Sequence, residues 1–459
     1  MPIWAHDIPV RDSMSFRSPE FAPPKAPSFA PDIFSDDTRE PFQRDLGRII
    51  HSASFRRLQT KTQVMGTGEG DFHRTRLTHS LEVGQIGRGI VWNLARRKNF
   101  PYAEYLPPPE LIEAICYAHD LGHPPYGHGG ERALFRNMRH HGGFEGNAQT
   151  IRILTKLEKY YRGAGTQPSR RLLLGVLKYP VEYGRYTIKD NDNKPPKCFY
   201  DDDLPLIRQA LRCFDAADAE KFTTLGVDAK PIYKSFDCSI MELADDIAYG
   251  VHDLEDGVGR GILKRSDIGD DLLDGFKEAG IHQIRNVPIN EILDKLFSED
   301  ACERKHAISL MVGFFVVAVQ VERLNEFRSG FLDLQAKVSP EISRLLKHLS
   351  KEITFKSLVS RREVQTLEFK GEKVIDNLFS AFDERPVQLI GPQLFEQAAS
   401  GLSQLISKAN GKWRDLEEPQ RLTSARVICD FIAGMTNPYA EKYHRRLFEP
   451  GYGSSTDEL

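Results

Sequence analysis

Disulfide chemistry is the first thing this sequence argues against. Its six cysteines (Cys116, Cys198, Cys213, Cys238, Cys302 and Cys429) are scattered, and no two are spaced as CxxC. That pattern fits reduced thiols in a cytoplasmic protein. A secretory leader is not expected either, because MPIWAHDIPVRD carries acids and proline where a basic and then an apolar run is needed. The longest apolar run, ISLMVGFFVVAV (308–319), is too short to span a bilayer and reads as a helix buried in the core, so no membrane partner is expected. The formal net charge of −3 excludes a strongly electrostatic nucleic-acid binder, although it leaves room for a local basic patch. There is no Walker A loop and no GxGxxG between a strand and a helix, so P-loop and Rossmann nucleotide sites are set aside. No strand-rich region and no internal repeat is present.

What remains is an ordinary globular composition, 40% hydrophobic and 28% charged over 459 residues. Residues 1–40, with Pro19, Pro23, Pro24, Pro27 and Pro31, read as a flexible arm. From 41 onward apolar residues recur at helical spacing: Leu46, Ile49, Ile50, Phe55 and Leu58, then Leu77, Leu81, Val83, Ile86, Ile90, Val91 and Leu94. Arg44, Arg48, Arg56, Arg57 and Lys61 lie between them, as a solvated face or as groups for a polyphosphate substrate. Thr75 or Thr78 caps the helix that carries His79. Residues 163–203 read as a helix end followed by a long surface loop or lid that includes Lys178, Tyr179 and Lys197. From about 262 the chain is helix after helix. The expected fold is all-α, with a core at 41–260 and a helical extension at 261–459.

The densest chemistry is AHDLGHPPYGHGGE, 118–131. The apolar LIEAICYA before it reads as a buried helix whose last turn delivers His119 and Asp120, both suited to a divalent metal. Proline and glycine then stop the helix and hold a compact loop. His123 and His128 add imidazoles able to move protons near neutral pH, and Glu131, three residues after His128, can orient its ring. Further on, SFDCSIMELADDIAYGVHDLEDGVGRG places Asp245, Tyr249, Asp253 and Asp256 along one side of a helix whose other side is apolar. A carboxylate turned toward the packed side is costly unless it binds a cation. His79, His119, Asp120 and Asp245 together offer four ligands from three helices, an open site suited to metal-assisted hydrolysis.

The stretches FRRLQTKTQV (55–64), TRLTHSLEVGQIGR (75–88), AHDLGHPPYGHGGE (118–131), FEGNAQ (144–149), LKYP (177–180), MELADDIAYGVHDLEDGV (241–258) and DFIAGMTNPYA (430–440) occur in the order of a known family. The chain resembles the HD superfamily and, within it, the deoxyguanosinetriphosphate triphosphohydrolase-like proteins of bacteria. The resemblance implies one divalent ion (Mg²⁺, Mn²⁺ or similar) on His79, His119, Asp120 and Asp245. It implies a catalytic pair, His128 and Glu131, and a His123 that meets the α-phosphate. It also implies substrate contacts from Gln63, Val64, Arg76, Asn147, Lys178, Tyr179, Tyr249 and Asp253, with Lys197 a looser match. The expected reaction converts a deoxynucleoside triphosphate, dGTP by preference, to deoxynucleoside and inorganic triphosphate in a homo-oligomer, commonly a hexamer. Two alternatives stand beside it. One is another HD phosphohydrolase, a nucleotidase or phosphodiesterase. The other is a nucleotide-sensing or single-stranded-DNA-binding regulator of low turnover.

Overall fold

The structure is a computed structural model that describes residues 39–61, 74–160, 164–189 and 193–454. The proposed arm at 1–40 therefore lies almost wholly outside the described residues, as do Gln63 and Val64. The described chain is helical apart from two small antiparallel ribbons, β1 (Gln283–Ile284) with β2 (Val287–Pro288) and β3 (Gln320–Arg323) with β4 (Leu334–Lys337). The all-α expectation holds.

The helices that matter for the site are α1 (Pro41–Ile50), α2 (Arg76–Ala95), α3 (Pro109–Ala118), α4 (Gly127–Met138), α5 (Gly146–Arg152), α6 (Arg170–Val176), α7 (Phe236–Gly259), α8 (Ala301–Ala318), α9 (Arg362–Glu384), α10 (Gln420–Ala433) and α11 (Asn437–Phe448). Several of their starts follow ordinary capping chemistry. Thr75 accepts from Thr78 N while Thr78 returns a bond to Thr75 N, and the side chains of Ser169, Ser235 and Thr436 cap α6, α7 and α11.

Apolar side chains collect into two large cores. The first joins α1, α2, α3, α6 and α7 (Ile49, Ile86, Ile90, Ile112, Ile115, Leu173, Ala244, Ile247) to later residues such as Met311, Phe315, Leu345 and Leu349. The second joins α4 and α5 (Leu134, Met138, Ala148) to α9, α10 and α11 (Val374, Leu378, Phe382, Ile428, Ile432, Ala440). The line between the cores therefore does not follow the order of the chain. Close approach of α2 to α3 rests on Gly84 and Gly87, where an added Cβ would fall 2.3 Å from Tyr117 and 2.8 Å from Cys116 Sγ.

Two sequence expectations need correction. The apolar run 308–319 ends α8, but this helix is not enclosed: Ile308, Leu310, Met311 and Phe315 are buried while Val317 is exposed. It packs against α2, α7 and the helix Ile289–Leu296, all on one side. The segment expected as a surface loop in 163–203 is partly core. Val181, Cys198, Phe199 and Tyr200 are buried, and the backbone bonds Tyr183 N to Phe199 O and Phe199 N to Val181 O, each 2.9 Å, make that burial affordable.

Candidate metal and proton-transfer site

The first half of the site is assembled by three helices of the first core. The threonine cap fixes the start of α2, so His79 faces inward one turn later and is fully buried. At the end of α3 the His119 ring donates from Nδ1 to the Cys116 carbonyl at 2.6 Å. That bond places the ring proton on Nδ1 and leaves the Nε2 lone pair free. Nε2 is buried with no hydrogen-bond partner, a loss of about 1–3 kcal/mol if nothing binds there. α7 brings in Asp245, whose Oδ1 lies 3.1 Å from His79 Nε2 and 3.5 Å from His119 Nε2. Asp120 Oδ1 lies 3.4 Å from the same His119 nitrogen. One ligand atom each from His79, His119 and Asp120 can be chosen so that all lie within 4.8 Å of one another. Two imidazoles, two carboxylates and an unpartnered buried nitrogen fit a borderline divalent cation.

The charges around this cluster are arranged to keep both acids ionised. Burial alone would raise Asp120, but His123, His119 and Arg76 outweigh it and hold the carboxyl well below its usual range. Arg76 donates from Nη1 to Asp120 Oδ2 at 2.6 Å, and His123 Nδ1 lies 3.1 Å from Asp120 Oδ1. Asp245 behaves likewise: burial is outweighed first by Lys178, whose Nζ donates to Oδ2 at 3.0 Å, and then by His119 and His79. Burial and the Arg76 guanidinium together lower His123 from its ordinary value.

The second half lies on the loop between α3 and α4. Glu131 is buried and divides its carboxylate: Oε1 accepts from Gly146 N at 2.9 Å, and Oε2 lies 3.3 Å from His128 Nδ1. Burial would raise this acid, but the bond to His128 and the charge of Lys197 hold it low. His128 thereby presents its other nitrogen outward, with a ring centroid 6.1 Å from that of His123. The loop reaches α4 through Tyr126, a non-glycine residue at φ 64°, ψ 21°. Such a conformation costs about 1–3 kcal/mol and has to be held by its surroundings. Here Tyr126 N donates to Asn437 Oδ1 at 3.0 Å.

Other expected substrate contacts fall into two groups. Asn147 and Tyr179 are linked through residues that sequence reasoning undervalued: Asn147 Nδ2 donates to Glu145 Oε1 at 2.8 Å, Lys197 donates to the same oxygen at 2.9 Å, and the Lys197 ammonium sits 5.3 Å from the centre of the Tyr179 ring. Tyr249 lies one turn beyond Asp245 on α7, half-buried. Asp253 lies two turns beyond and is committed to Arg74 at 2.8 Å, with burial pushing its carboxyl up to about 6. Among the described basic residues before 62, only Lys61 turns in: it is buried and donates to the His123 carbonyl at 2.6 Å and the Ala433 carbonyl at 3.1 Å. Arg48 instead bonds the backbone at Thr166 and Gln167. Glu145 and Asn437 were missed, and Lys61 was read only as a solvated or substrate-facing base, because their partners lie 52, 311 and 62 residues away. The one local signal is Glu145, whose side chain caps α5.

Comparison with known proteins agrees with this geometry. Residues 76–166 match the HD domain, and residues 336–446 match the phosphohydrolase-associated domain. A deoxyguanosinetriphosphate triphosphohydrolase-like protein 2 of Deinococcus radiodurans is 42% identical over 436 residues, covering 92% of this chain and 95% of the relative. A deoxyguanosinetriphosphate triphosphohydrolase-like protein of Shewanella sp. (strain ANA-3) is 42% identical over 445 residues, with the same coverage. The chain belongs to the deoxyguanosinetriphosphate triphosphohydrolase-like family. It is an HD phosphohydrolase, and the His79–His119–Asp120 group can hold a metal ion. In this family member the HD match contains His79, His119, Asp120, His123, His128 and Glu131, whereas Asp245 and Lys178 come from the chain between the two matches. The phosphohydrolase-associated match supplies Asn437 and the Ala433 carbonyl that meet the loop. Among the described residues no helix is long and apolar enough to cross a membrane.

Proposed function

We propose that this protein hydrolyses deoxynucleoside triphosphates, dGTP by preference, to deoxynucleoside and inorganic triphosphate. The observation that carries the reading is the unpartnered, buried His119 Nε2 inside a ring of acids, next to an exposed histidine oriented by Glu131. His79, His119, Asp120 and Asp245 would hold one divalent ion. When bound, it supplies Lewis acidity toward phosphate oxygens.

The chain's own residues do the rest. Arg76, Lys178 and Lys197 offer fixed positive charge to the triphosphate. Water attacks the α-phosphorus, a new P–O bond forms, and the bond to the nucleoside 5′-oxygen breaks. His128 carries a proton at the nitrogen that faces away from Glu131, taking it from water or giving it to the leaving 5′-oxygen. Glu131 keeps that ring in one tautomer, and the His123 ring stands beside it. The Tyr249 ring, one turn from Asp245, would exclude a ribose 2′-hydroxyl by bulk. The reading includes a homo-oligomer, a hexamer by family expectation. Single-stranded DNA is carried as an additional partner.

The test is product analysis with each of the four deoxynucleoside triphosphates, alone and mixed, with Mg²⁺ or Mn²⁺. Release of intact triphosphate and deoxynucleoside, abolished by Asp120→Ala, supports the proposal. Release of monophosphate or pyrophosphate, or no turnover in any mixture, overturns it.

A further inference from the structure

His123 and His128, whose ring centroids lie 6.1 Å apart, are separated in the chain by four residues: Pro124, Pro125, Tyr126 and Gly127. The prolines have fixed φ. The two remaining residues both lie at positive φ, Tyr126 at 64° and Gly127 at 56°. Glycine is at ease there and tyrosine is not. The relation between the two imidazoles therefore depends on a tyrosine whose backbone does not hold its own shape.

Three contacts hold it from outside the HD match. Asn437, the first residue of α11, accepts from Tyr126 N through Oδ1 at 3.0 Å, and its carbonyl receives the Tyr126 hydroxyl at 3.4 Å. Gly371 on α9 leaves room for the ring, since a Cβ there would fall 2.4 Å from Tyr126 Cβ. Lys61 ties the His123 carbonyl to the Ala433 carbonyl at the end of α10.

We infer that Asn437 is a positioning residue for His128: by fixing Tyr126 in the left-handed conformation, it sets the first turn of α4 and so the placement of the His128–Glu131 pair against His123 and the metal ligands. Glu131 lies on α4 with His128, so the pair moves as a unit when the start of that helix moves. His123 lies on the other side of Tyr126 and is anchored to Asp120. A swing at Tyr126 changes the distance between the two halves of the site and works against the bond from Gly146 N to Glu131 Oε1. Among the described residues, Asn437 bonds Tyr126 rather than a ligand of the proposed ion. Its removal is expected to act on turnover rather than on metal or substrate affinity. This inference rests on the proposed function for the role of His128 in turnover.

The experiment compares Asn437→Ala with Asn437→Asp, which keeps an oxygen at the same place. With dGTP and Mn²⁺, Asn437→Ala is expected to lower kcat about tenfold to a hundredfold, with KM within about twofold and metal per chain unchanged. Asn437→Asp is expected to stay within about threefold of the parent. An Ala variant that retains its kcat, or an equal fall in both variants, overturns the inference. A crystal structure of Asn437→Ala gives a second readout that needs no substrate. Departure of Tyr126 from positive φ with a changed His123–His128 separation supports the inference, and an unmoved Tyr126 overturns it. If the parent protein releases no triphosphate, the functional proposal fails, while the conformation of Tyr126 still decides this one.

Discussion

The two halves of the site are held by opposite means. The metal half is mostly enclosed: the side chains of His79, His119 and Asp120 are 1%, 0% and 8% exposed, and only Asp245, at 26%, opens toward solvent. The proton-transfer half is open: the His128 side chain is 71% exposed, and only Glu131 beneath it is buried. Packing is non-directional but dense, so it fixes ligands wherever helices are forced together. An exposed ring has no such enclosure, and its place depends on a few directional bonds. The nearest is to Glu131, held in turn by Gly146 N, and the loop beneath is fixed from the other core by Asn437 and the Ala433 carbonyl, with Gly371 leaving room for Tyr126. The metal half should therefore tolerate local loss in the second core, and the proton-transfer half should not.

Four measurements test that contrast. Asp120→Ala removes a ligand together with the partner of Arg76 and His123, and should lower kcat by at least about 10³-fold while abolishing metal binding by elemental analysis. Retained metal would mean that the other three ligands suffice. His128→Gln should lower kcat by about 10²–10⁴-fold and leave the metal in place, so joint loss of both would erase the distinction between the halves. Gly371→Val drives a side chain into Tyr126. It should cost about 1–3 kcal/mol of stability by chemical denaturation and reduce kcat with metal content unchanged. An unchanged kcat would show that the second core does not govern the loop.

The smallest effect concerns the edge of the first core. Asp45 on α1 is buried, accepts from Ser169 N at 3.1 Å, and has its pKa pushed by burial up to about 6 from 3.8. The folded protein holds this proton more tightly than the unfolded chain does. The contribution of Asp45 is therefore most favourable below about pH 4 and is lost as pH rises through 6. Asp45→Asn removes that dependence. Relative to the parent, it should gain on the order of 2 kcal/mol between pH 4 and pH 7. A constant difference across that range would contradict the assignment.

The helices and the proposed metal ligands were legible as a cluster because their signals are local. A threonine cap, a 3.6-residue apolar period and a His-Asp pair at a helix end each occupy a single stretch of chain, and the structure places His79, His119, Asp120 and Asp245 together. Asp253 shows where that reasoning thins. Its place on α7 was readable, yet its partner Arg74 lies 179 residues earlier, so its commitment to an ion pair was not. The same holds for Asn437, which is unremarkable in TNPYA until Tyr126 is seen to need an acceptor. Helix α8 was misjudged for a related reason: an apolar run announces a preference for burial but not on how many sides neighbours exist. Tyr200 and Cys198 were hidden in a polar setting, DNDNKPPKCFYDDD, whose composition reads as loop although its CFY step is buried.

The crossing of the two cores has a consequence for modularity. Helix α4 belongs by sequence to the HD match, yet its apolar face is completed by α9, α10 and α11. A chain ended before residue 336 would leave Ala133, Leu134, Met138 and Ala148 facing water, while their sequence neighbours still sat in the first core. The two matched segments are thus not a catalytic module with an accessory joined to it. They are complementary pieces of one folding unit, and the seam between them runs through the loop that carries His123 and His128.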